Sequence, residues 1–222
     1  LIMVQKGWLV PSSAPFGSPV FLVRKPHSTK MRLVIDYRAV NLLTKRNAFH
    51  IPNPETLFEA VSGSQWFSKL DLSQGFYQIR LHGDDQEKST ICTRYGNYKF
   101  LVMPMGICNA PSVYQRIVQE LLMEFTDIFC ICYIDDILIY TKSKNIEDHA
   151  NHLRKVLQKL REGKMYLNPE KAMLFQRRTT FLGHEISHEG ITSSVEKVDA
   201  VKSFATPTTV TNARQFLGLT SY

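Results

Sequence analysis

Short apolar segments alternate with polar turns that contain glycine or proline along most of the chain, a pattern typical of strands interspersed with helices. Val20–Val23 and Arg32–Asp36 are rich in β-branched residues, and the polar residues 25–31 separate them, so they predict a β-hairpin. The tip of that hairpin would carry four cations, Arg24, Lys25, Lys30 and Arg32.

Other apolar segments predict further strands. Phe129–Tyr133 and Ile137–Tyr140 are strongly apolar and are joined by a short acidic turn. The remaining predictions are a strand at Trp66–Leu72, an extended segment at Gln78–Leu81, a strand pair at Thr90–Thr93 and Tyr98–Val102, and a last hairpin of Thr180–Ile186 and Glu189–Thr192.

Helices are predicted where apolar residues recur every three or four positions or where capping residues occur. Asn109 as a cap and Pro111 in the first turn predict a helix that continues to about Phe125. Another helix ends at Gly163, and its predicted apolar face comprises Ile146, Ala150, Leu153, Leu157 and Leu160. A shorter helix is predicted to start at Pro52 to Pro54 and to run through about Val61, and two others are predicted at 195–204 and 214–219. This mixture predicts an α+β fold, with an antiparallel sheet packed on helices.

Composition narrows the class of protein. The 222 residues include 27 Lys and Arg against 20 Asp and Glu, a net charge of +7. That balance favours polyanionic partners such as nucleic acid, although many proteins with a similar charge bind none. The longest apolar run, Ile128–Ile134, is far shorter than the roughly 20 residues that span a bilayer. We read no signal peptide and expect no membrane partner; the missing initial Met suggests a piece of a longer protein.

Cysteine and histidine residues give weaker signals. The four cysteines, Cys92, Cys108, Cys130 and Cys132, lack zinc-finger spacing, so we expect small buried residues in a reducing compartment. His149 and His152 are one helical turn apart, a spacing that can bind zinc, but no third ligand is apparent. We therefore expect both histidines to lie on the surface.

Two adjacent carboxylates, Asp135 and Asp136, lie between strands whose sequence predicts burial. Buried carboxylates persist when they are paired with cations or bind metal. Asp71 lies in another apolar strand, 135 − 71 = 64 residues earlier, which leaves room for a hairpin and a helix between neighbouring strands. Phosphoryl transfer requires carboxylates from separate strands to hold two divalent cations about 4 Å apart, and magnesium prefers such oxygen ligands. Two simpler interpretations remain open: turn-forming aspartates, and an Asp71 paired with a surface lysine.

Several motifs in a fixed order resemble the reverse transcriptases of gypsy-type long-terminal-repeat retrotransposons and, more distantly, the retroviral enzymes. The resemblance extends over essentially the whole chain. The motifs are Ser18-Pro19-Val20; Arg32-Leu33-Val34-Ile35-Asp36-Tyr37-Arg38 with Asn41; Leu70-Asp71-Leu72 with Gly75-Phe76; Met103-Pro104-Met105-Gly106 with Asn109-Ala110-Pro111; Tyr133-Ile134-Asp135-Asp136; and Phe181-Leu182-Gly183. It implies a right-hand polymerase fold, with interleaved fingers and palm in residues 1–194 and the start of a thumb in residues 195–222.

The resemblance implies RNA- and DNA-directed addition of dNTPs to a primer. Asp71, Asp135 and Asp136 would form the catalytic, metal-binding triad for two Mg²⁺ ions, or Mn²⁺ in their place, with Asp136 in the less direct role. The parent polyprotein would carry RNase H, protease and integrase regions and would act in the cytoplasm, in virus-like particles.

Further residues are assigned by the same resemblance. Lys25 and Arg32 would contact the triphosphate, and the ring of Phe76 would exclude a 2′-hydroxyl, although a core aromatic is a competing interpretation. Met105 and Gly106 would lie against nucleotide and template, but Met105 and Pro26 both depart from the residue types that the family often has there. The primer grip would consist of Phe181, Leu182, Gly183 and His184.

Two other functions compete with this one. An RNA-copying RNA polymerase would share the acids, but it must admit the 2′-hydroxyl that Phe76 would exclude. A domesticated binding module would keep the basic surface without catalysis, and the presence of all three acids argues against such decay.

Overall fold

The computed structural model describes residues 2–24, 31–47, 49 and 52–220. In these ranges the strands are β1 (Leu9–Pro11), β2 (Ser18–Arg24), β3 (Met31–Ile35), β4 (Trp66–Asp71), β5 (Ile91–Thr93), β6 (Gly96–Phe100), β7 (Cys130–Tyr133), β8 (Asp136–Thr141), β9 (Met173–Gln176), β10 (Arg178–Phe181), β11 (His184–Ser187) and β12 (Gly190–Ser193). The helices are α1 (Ile2–Gln5), α2 (Arg38–Leu43), α3 (Pro54–Val61), α4 (Gly83–Gln86), α5 (Ala110–Leu121), α6 (Ile146–Glu162), α7 (Val195–Lys202) and α8 (Val210–Thr220).

A four-stranded antiparallel sheet, the central sheet, has the order β7-β8-β4-β9. Residues 137–141 of its strand β8 are all buried. Since successive side chains point to opposite sides of a strand, β8 is buried on both faces. Ile137 and Ile139 belong to a core formed with α5 and α6, whereas Leu138 and Tyr140 belong to a core formed with α3 and Phe181. The central sheet is therefore clamped between two apolar layers, which explains its continuously apolar strands.

A five-stranded sheet of order β1-β6-β5-β2-β3 lies in the first half of the chain. Its strands pair antiparallel except β2 with β5, which are parallel. Leu9, Ile35, Ile91 and Phe100 form the centre of its core. The predicted hairpin is confirmed as β2 and β3, with Val20 paired to Ile35.

The last strands differ from the predicted hairpin. Three strands, β10, β11 and β12, form an antiparallel sheet. Leu182 and Gly183 connect the first two with φ values of 48° and 72°, the backbone that a two-residue hairpin turn needs. The prediction merged β10 and β11 because a leucine in the turn hides the break in the apolar pattern.

Several short elements were not predicted at all, namely β1, α2 and α4. Gln78–Leu81 was expected to be extended, but Gly75–Gln78 forms a 3₁₀ turn and only Arg80 bridges to Val102. None of these elements is long enough to establish a period in the sequence.

The apolar face of α6 is rotated from the predicted one. His149, Leu153, Val156 and Leu160 are its buried residues, while Ile146 and Leu157 are exposed. The prediction followed hydrophobic residues and overlooked a histidine that is buried through hydrogen bonds. No helix within the described ranges is both long and apolar enough to cross a membrane.

Candidate active site

The three predicted acids meet at one end of the central sheet. Asp71 and Asp136 are cross-strand partners at the ends of β4 and β8. Asp135 lies in the two-residue connection between β7 and β8, and its carbonyl oxygen accepts a hydrogen bond from the amide of Leu72 at 3.0 Å. Antiparallel pairing therefore brings together residues that are 64 positions apart, 135 − 71, in the sequence.

The connection that carries Asp135 has a strained backbone. Ile134 has a φ of 52°, a left-handed conformation that β-branched residues rarely adopt and that costs on the order of 1–3 kcal/mol. Gln115 on α5 holds this conformation: its Oε1 accepts from the Ile134 amide at 2.6 Å, and its Nε2 donates to the Cys132 carbonyl at 3.0 Å. Gln115 is buried, so both hydrogen bonds are shielded from water.

Asp135 is the most confined of the three acids. Gly75 lies against it so closely that an added Cβ would be 2.5 Å from Oδ1, which explains why a glycine is needed there. Burial raises the pKa of Asp135, and the negative charges of Asp71 and Asp136 add to the rise, while Lys171 and the Tyr114 hydroxyl oppose it. Oδ1 is buried and has no hydrogen-bond partner within the described ranges.

Two lysines neutralise the other acids. Lys171 Nζ lies 2.9 Å from Asp71 Oδ2, and Lys69 Nζ lies 3.2 Å from Asp136 Oδ1. The simpler interpretation of Asp71, pairing with a lysine, is therefore correct as a statement of geometry. It does not exclude a catalytic role, because the same carboxylate also belongs to the triad.

The donor set suits a hard divalent cation. Three carboxylates lie side by side, and the unpartnered Oδ1 of Asp135 is an oxygen that a cation could satisfy. Among the described residues, however, no three His, Cys, Asp or Glu side chains already converge as the ligands of one ion. The oxygen chemistry of the three side chains nevertheless fits a divalent metal ion.

Part of the predicted primer grip borders the same cleft. Leu182 and Gly183 line a cleft of about 290 Å³, together with Asp71 and Asp136 and the two lysines. The side chain of Phe181 is instead fully buried in the core beside α3. His184 packs edge-on against Phe58 at 4.7 Å between ring centroids, and its Nδ1 lies 2.9 Å from the Leu182 carbonyl oxygen.

The predicted nucleotide residues lie on several elements. Phe76 follows Gly75 and packs edge-on against Tyr114 at 5.3 Å between centroids, so its ring is partly a core residue. Arg32 is exposed on β3 and has no ion-pair partner in the described part of the chain. Lys25 and Pro26, which the sequence pattern assigns to the hairpin tip, lie outside the described residues.

Met105 and Gly106 form an exposed corner beside β3 and α2. Gly106 has a φ of 102°, and an added Cβ would lie 3.4 Å from the Ile35 carbonyl oxygen. Asn41 on α2 fixes this corner, because Nδ2 donates to the Gly106 carbonyl at 2.8 Å and Oδ1 accepts from the Cys108 amide at 2.8 Å. Met105 is 42% exposed and therefore open to a ligand.

Asn109 begins α5 as predicted, but it does not cap the helix. Its Oδ1 accepts from the Asn47 amide and its Nδ2 donates to the Lys45 carbonyl. The side chain therefore joins α5 to the segment after α2, a role that sequence cannot distinguish from capping.

His149 and His152 were expected on the surface, and this expectation is wrong for His149, which is fully buried. Its Nε2 lies 2.7 Å from Ser68 Oγ and its Nδ1 lies 2.8 Å from Thr141 Oγ1. His152 Nδ1 also lies 2.8 Å from Thr141 Oγ1. These hydrogen bonds make the histidines structural, with no zinc ligand set around them in the described residues.

The cysteines are also only partly as expected. Cys130 and Cys132 are buried, Cys108 is half-buried and Cys92, in the middle of β5, is exposed. All four are free thiols.

Sequence reasoning missed Gln115, Lys69 and Lys171 as parts of this site. Lys69 carried a recoverable signal, since residues two apart on a strand share a face and Asp71 follows it at that spacing. Gln115 and Lys171 lie on elements distant in sequence, and only the fold brings them to the acids.

The chain is similar to known proteins over most of its length. A family model described as reverse transcriptase (RNA-dependent DNA polymerase) matches residues 23–186. Among related proteins, the Retrovirus-related Pol polyproteins from transposons opus and 297 of Drosophila melanogaster are each 34% identical over 99% of this chain. The Transposon Tf2-3 polyprotein of Schizosaccharomyces pombe is 35% identical over 99% of it. The chain spans only 22%, 21% and 16% of these relatives, respectively.

Solved structures show the same fold. A foamy viral protease-reverse transcriptase dRH in complex with double-stranded DNA superposes with a TM-score of 0.89 and 26% identity, covering 99% of this chain and 38% of that one. The foamy viral protease-reverse transcriptase in complex with an RNA/DNA hybrid has a TM-score of 0.85 and 25% identity, covering 98% of this chain and 29% of that one.

Proposed function

Because the chain belongs to the reverse transcriptase (RNA-dependent DNA polymerase) family, we propose that it catalyses template-directed addition of dNTPs to a primer 3′-end within a retrotransposon Pol polyprotein. The observation that carries the proposal is the meeting of Asp71, Asp135 and Asp136 beside a cleft bordered by Leu182 and Gly183. RNA or DNA paired with a primer would be the substrate, as in the duplex complexes of the foamy viral structures.

Asp71 and Asp135 would hold two divalent cations, with Asp136 in a supporting role. Bound ions of this kind activate a 3′-hydroxyl and neutralise the triphosphate and the leaving pyrophosphate. The strained turn fixed by Gln115 keeps Asp135 at the carboxylate cluster without reorganisation, which favours pre-organised catalysis.

Other residues would bind the substrates. Arg32, with Lys25, would contact the triphosphate, which predicts that Arg32→Ala raises the dTTP concentration needed for half-maximal extension. Phe76 would screen the sugar, and Met105 and Gly106 would contact nucleotide and template. Leu182, Gly183 and His184 would support the primer end, with Phe181 anchoring their turn in the core; photocrosslinking from Leu182 to the primer strand would test that contact.

We also infer the wider organisation of the protein. Residues 1–194 would form the fingers and palm, and residues 195–222 would begin a thumb. RNase H, protease and integrase regions of the parent polyprotein would act with this segment in the cytoplasm, in virus-like particles. Pull-down of the polyprotein products from a particle preparation would test that association.

The test of function is primer extension on poly(rA)–oligo(dT) with dTTP and Mg²⁺. Asp135→Asn should reduce extension by roughly a hundredfold or more, since one metal-binding carboxylate is lost. Asp84→Asn is the matched control, because Asp84 on α4 is highly exposed and lies outside the acid cluster. Equal extension by the parent chain and Asp135→Asn would refute the role of the triad.

An inactive parent chain would call for the same comparison in a longer segment of the polyprotein. Absence of extension there would overturn the polymerase proposal and favour a non-catalytic module that binds nucleic acid.

A further inference from the structure

The carboxylates of Asp71, Asp135 and Asp136 do not form a cluster of unpaired negative charges. Two of the three carboxylates already have ammonium partners, Lys171 for Asp71 and Lys69 for Asp136. Three carboxylates and two ammonium groups give a local charge of −3 + 2 = −1. Without the lysines, three like charges would lie close together with only partial access to water.

Lys171 is held in place by its own structural support. It ends the 3₁₀ turn Pro169–Lys171, which Asn168 caps through a hydrogen bond from the Glu170 amide to its Oδ1 at 3.2 Å. The amide of Asn168 donates to the Asp71 carbonyl at 2.9 Å, so this turn is attached to the strand that carries Asp71. The fold thus places Lys171 beside Asp71, although the two residues are 100 positions apart in the sequence.

Lys69 reaches the cluster from within the central sheet. It precedes Asp71 by two residues on β4 and therefore lies on the same face of that strand. Asp136 is the cross-strand partner of Asp71, which places it diagonally opposite Lys69. Both lysines line the cleft that Asp71 and Asp136 border.

We propose that Lys171 and Lys69 are counter-ions of the acid triad, which stabilise the metal-free site and are displaced from the carboxylates when a divalent cation binds. They thereby set the affinity of the site for metal. This inference rests on the proposed function, since it takes the triad to be the metal site. A divalent cation and an ammonium group compete for the same carboxylate oxygens and repel each other, so removal of the ammonium favours the metal.

The test measures metal binding and stability rather than turnover. Free Mn²⁺ is quantified by electron paramagnetic resonance at fixed ionic strength, and thermal midpoints are measured in EDTA and in saturating Mg²⁺. Lys171→Gln should bind Mn²⁺ roughly threefold to tenfold more tightly, since the ion pair is partly exposed to solvent. Its midpoint should fall in EDTA, and its gain on adding Mg²⁺ should exceed that of the parent chain. Lys69→Gln should change both quantities in the same direction.

Two controls isolate the local charge. Lys142→Gln removes the same unit of charge from an exposed lysine just after β8, at the opposite end of that strand from Asp136. Lys171→Arg keeps a cation beside Asp71. Both should bind Mn²⁺ like the parent chain.

Unchanged or weaker Mn²⁺ binding by both glutamine variants would overturn the inference, as would an equal loss of stability with and without Mg²⁺. Failure of the proposed function has a different signature. In that case the parent chain would bind no Mn²⁺, or Asp135→Asn would bind it equally well.

Discussion

Burial makes the negative charge of Asp135 unfavourable in the folded protein. Its pKa is raised above the usual value of 3.8 by burial and by the nearby carboxylates. A raised carboxyl pKa contributes stability that is complete below the unfolded-state value and is lost as the pH rises through the folded-state value. The negative charge of Asp135 therefore opposes folding when no cation is bound, so Asp135→Asn should lose activity while keeping its stability in EDTA. Such a cost is expected where a site is built to bind a cation.

The ring of Phe76 is predicted to control the choice between deoxyribonucleotides and ribonucleotides. Phe76→Ala should lower the preference for dTTP over UTP by roughly tenfold or more, because the ring would no longer meet the 2′-hydroxyl. Single-nucleotide incorporation with each substrate measures that ratio. Phe76→Tyr keeps the ring and should keep the preference.

The alternative interpretation, that Phe76 is a core aromatic residue, predicts a different result. Phe76 packs on Tyr114, so a purely structural ring would cost stability on truncation without changing the dTTP-to-UTP ratio. Unchanged sugar discrimination in a folded Phe76→Ala would therefore reject the steric gate.

At the scale of elements, a buried chain of hydrogen bonds ties α6 to three strands of the central sheet. Ser68 Oγ on β4 accepts a hydrogen bond from the Phe175 amide of β9 at 3.0 Å. Ser68 Oγ is also hydrogen-bonded to His149, whose other ring nitrogen is hydrogen-bonded to Thr141 on β8. Burial, and then the neighbouring His152, lowers the pKa of His149 to about 4. The imidazole is accordingly neutral, with one nitrogen donating and the other accepting.

This network predicts a pH dependence of folding. A depressed histidine pKa contributes stability that is complete above the unfolded-state value of 6.5 and is lost as the pH falls toward 4. The free energy of unfolding should decline by about 3 kcal/mol over that window from His149 alone. Urea unfolding between pH 8 and pH 4 measures the decline.

Two variants test whether the His149 network causes this loss of stability at low pH. His149→Gln should be less stable at pH 8 but should show a shallower pH dependence, whereas His188→Gln, at an exposed turn, should behave like the parent chain. Parallel curves for all three proteins would contradict the assignment.

At the scale of the whole molecule, the last two helices are weakly integrated. α7 and α8 contact each other, and Phe204, two residues after α7, packs on Phe216 of α8 with the ring centroids 5.4 Å apart. Val210 and Leu217 on α8 are 70% and 60% exposed. The central sheet and its two cores consist of residues before α7. The proposed division at residue 194 would separate α7 and α8 from them.

That division predicts the effect of a deletion. A chain ending at Ser194 should unfold within about 5 °C of the full chain, because little buried apolar surface is lost. Its primer extension should fall strongly if residues 195–222 begin the thumb. Circular dichroism and the poly(rA)–oligo(dT) assay measure the two effects, and a collapse of the midpoint would show that both helices belong to the same cooperative unit.

Local pattern was sufficient for much of this protein. The alternation and runs of apolar residues located β2, β3, β4, β7 and β8. The motif order around Asp71, Asp135 and Asp136 predicted the family that the matching family model confirms. Such features are local, because strand propensity and a short motif depend on neighbours in sequence. Short elements such as β1 and α2 escaped, since three to six residues carry too little periodicity.

Tertiary structure decided the features that depend on distant partners. Sequence motifs identified the candidate acids, and the apolar pattern predicted a chain that mixes strands with helices. Only the fold determined that Gln115 holds the strained turn and that Lys171 reaches Asp71. The fold also determined that His149 and Val156 belong to the buried face of α6, while Ile146 and Leu157 are exposed. The physical reason is that hydrogen bonds and ion pairs are set by distances in space, which the pairing of β4 with β8 and the packing of α5 and α6 impose.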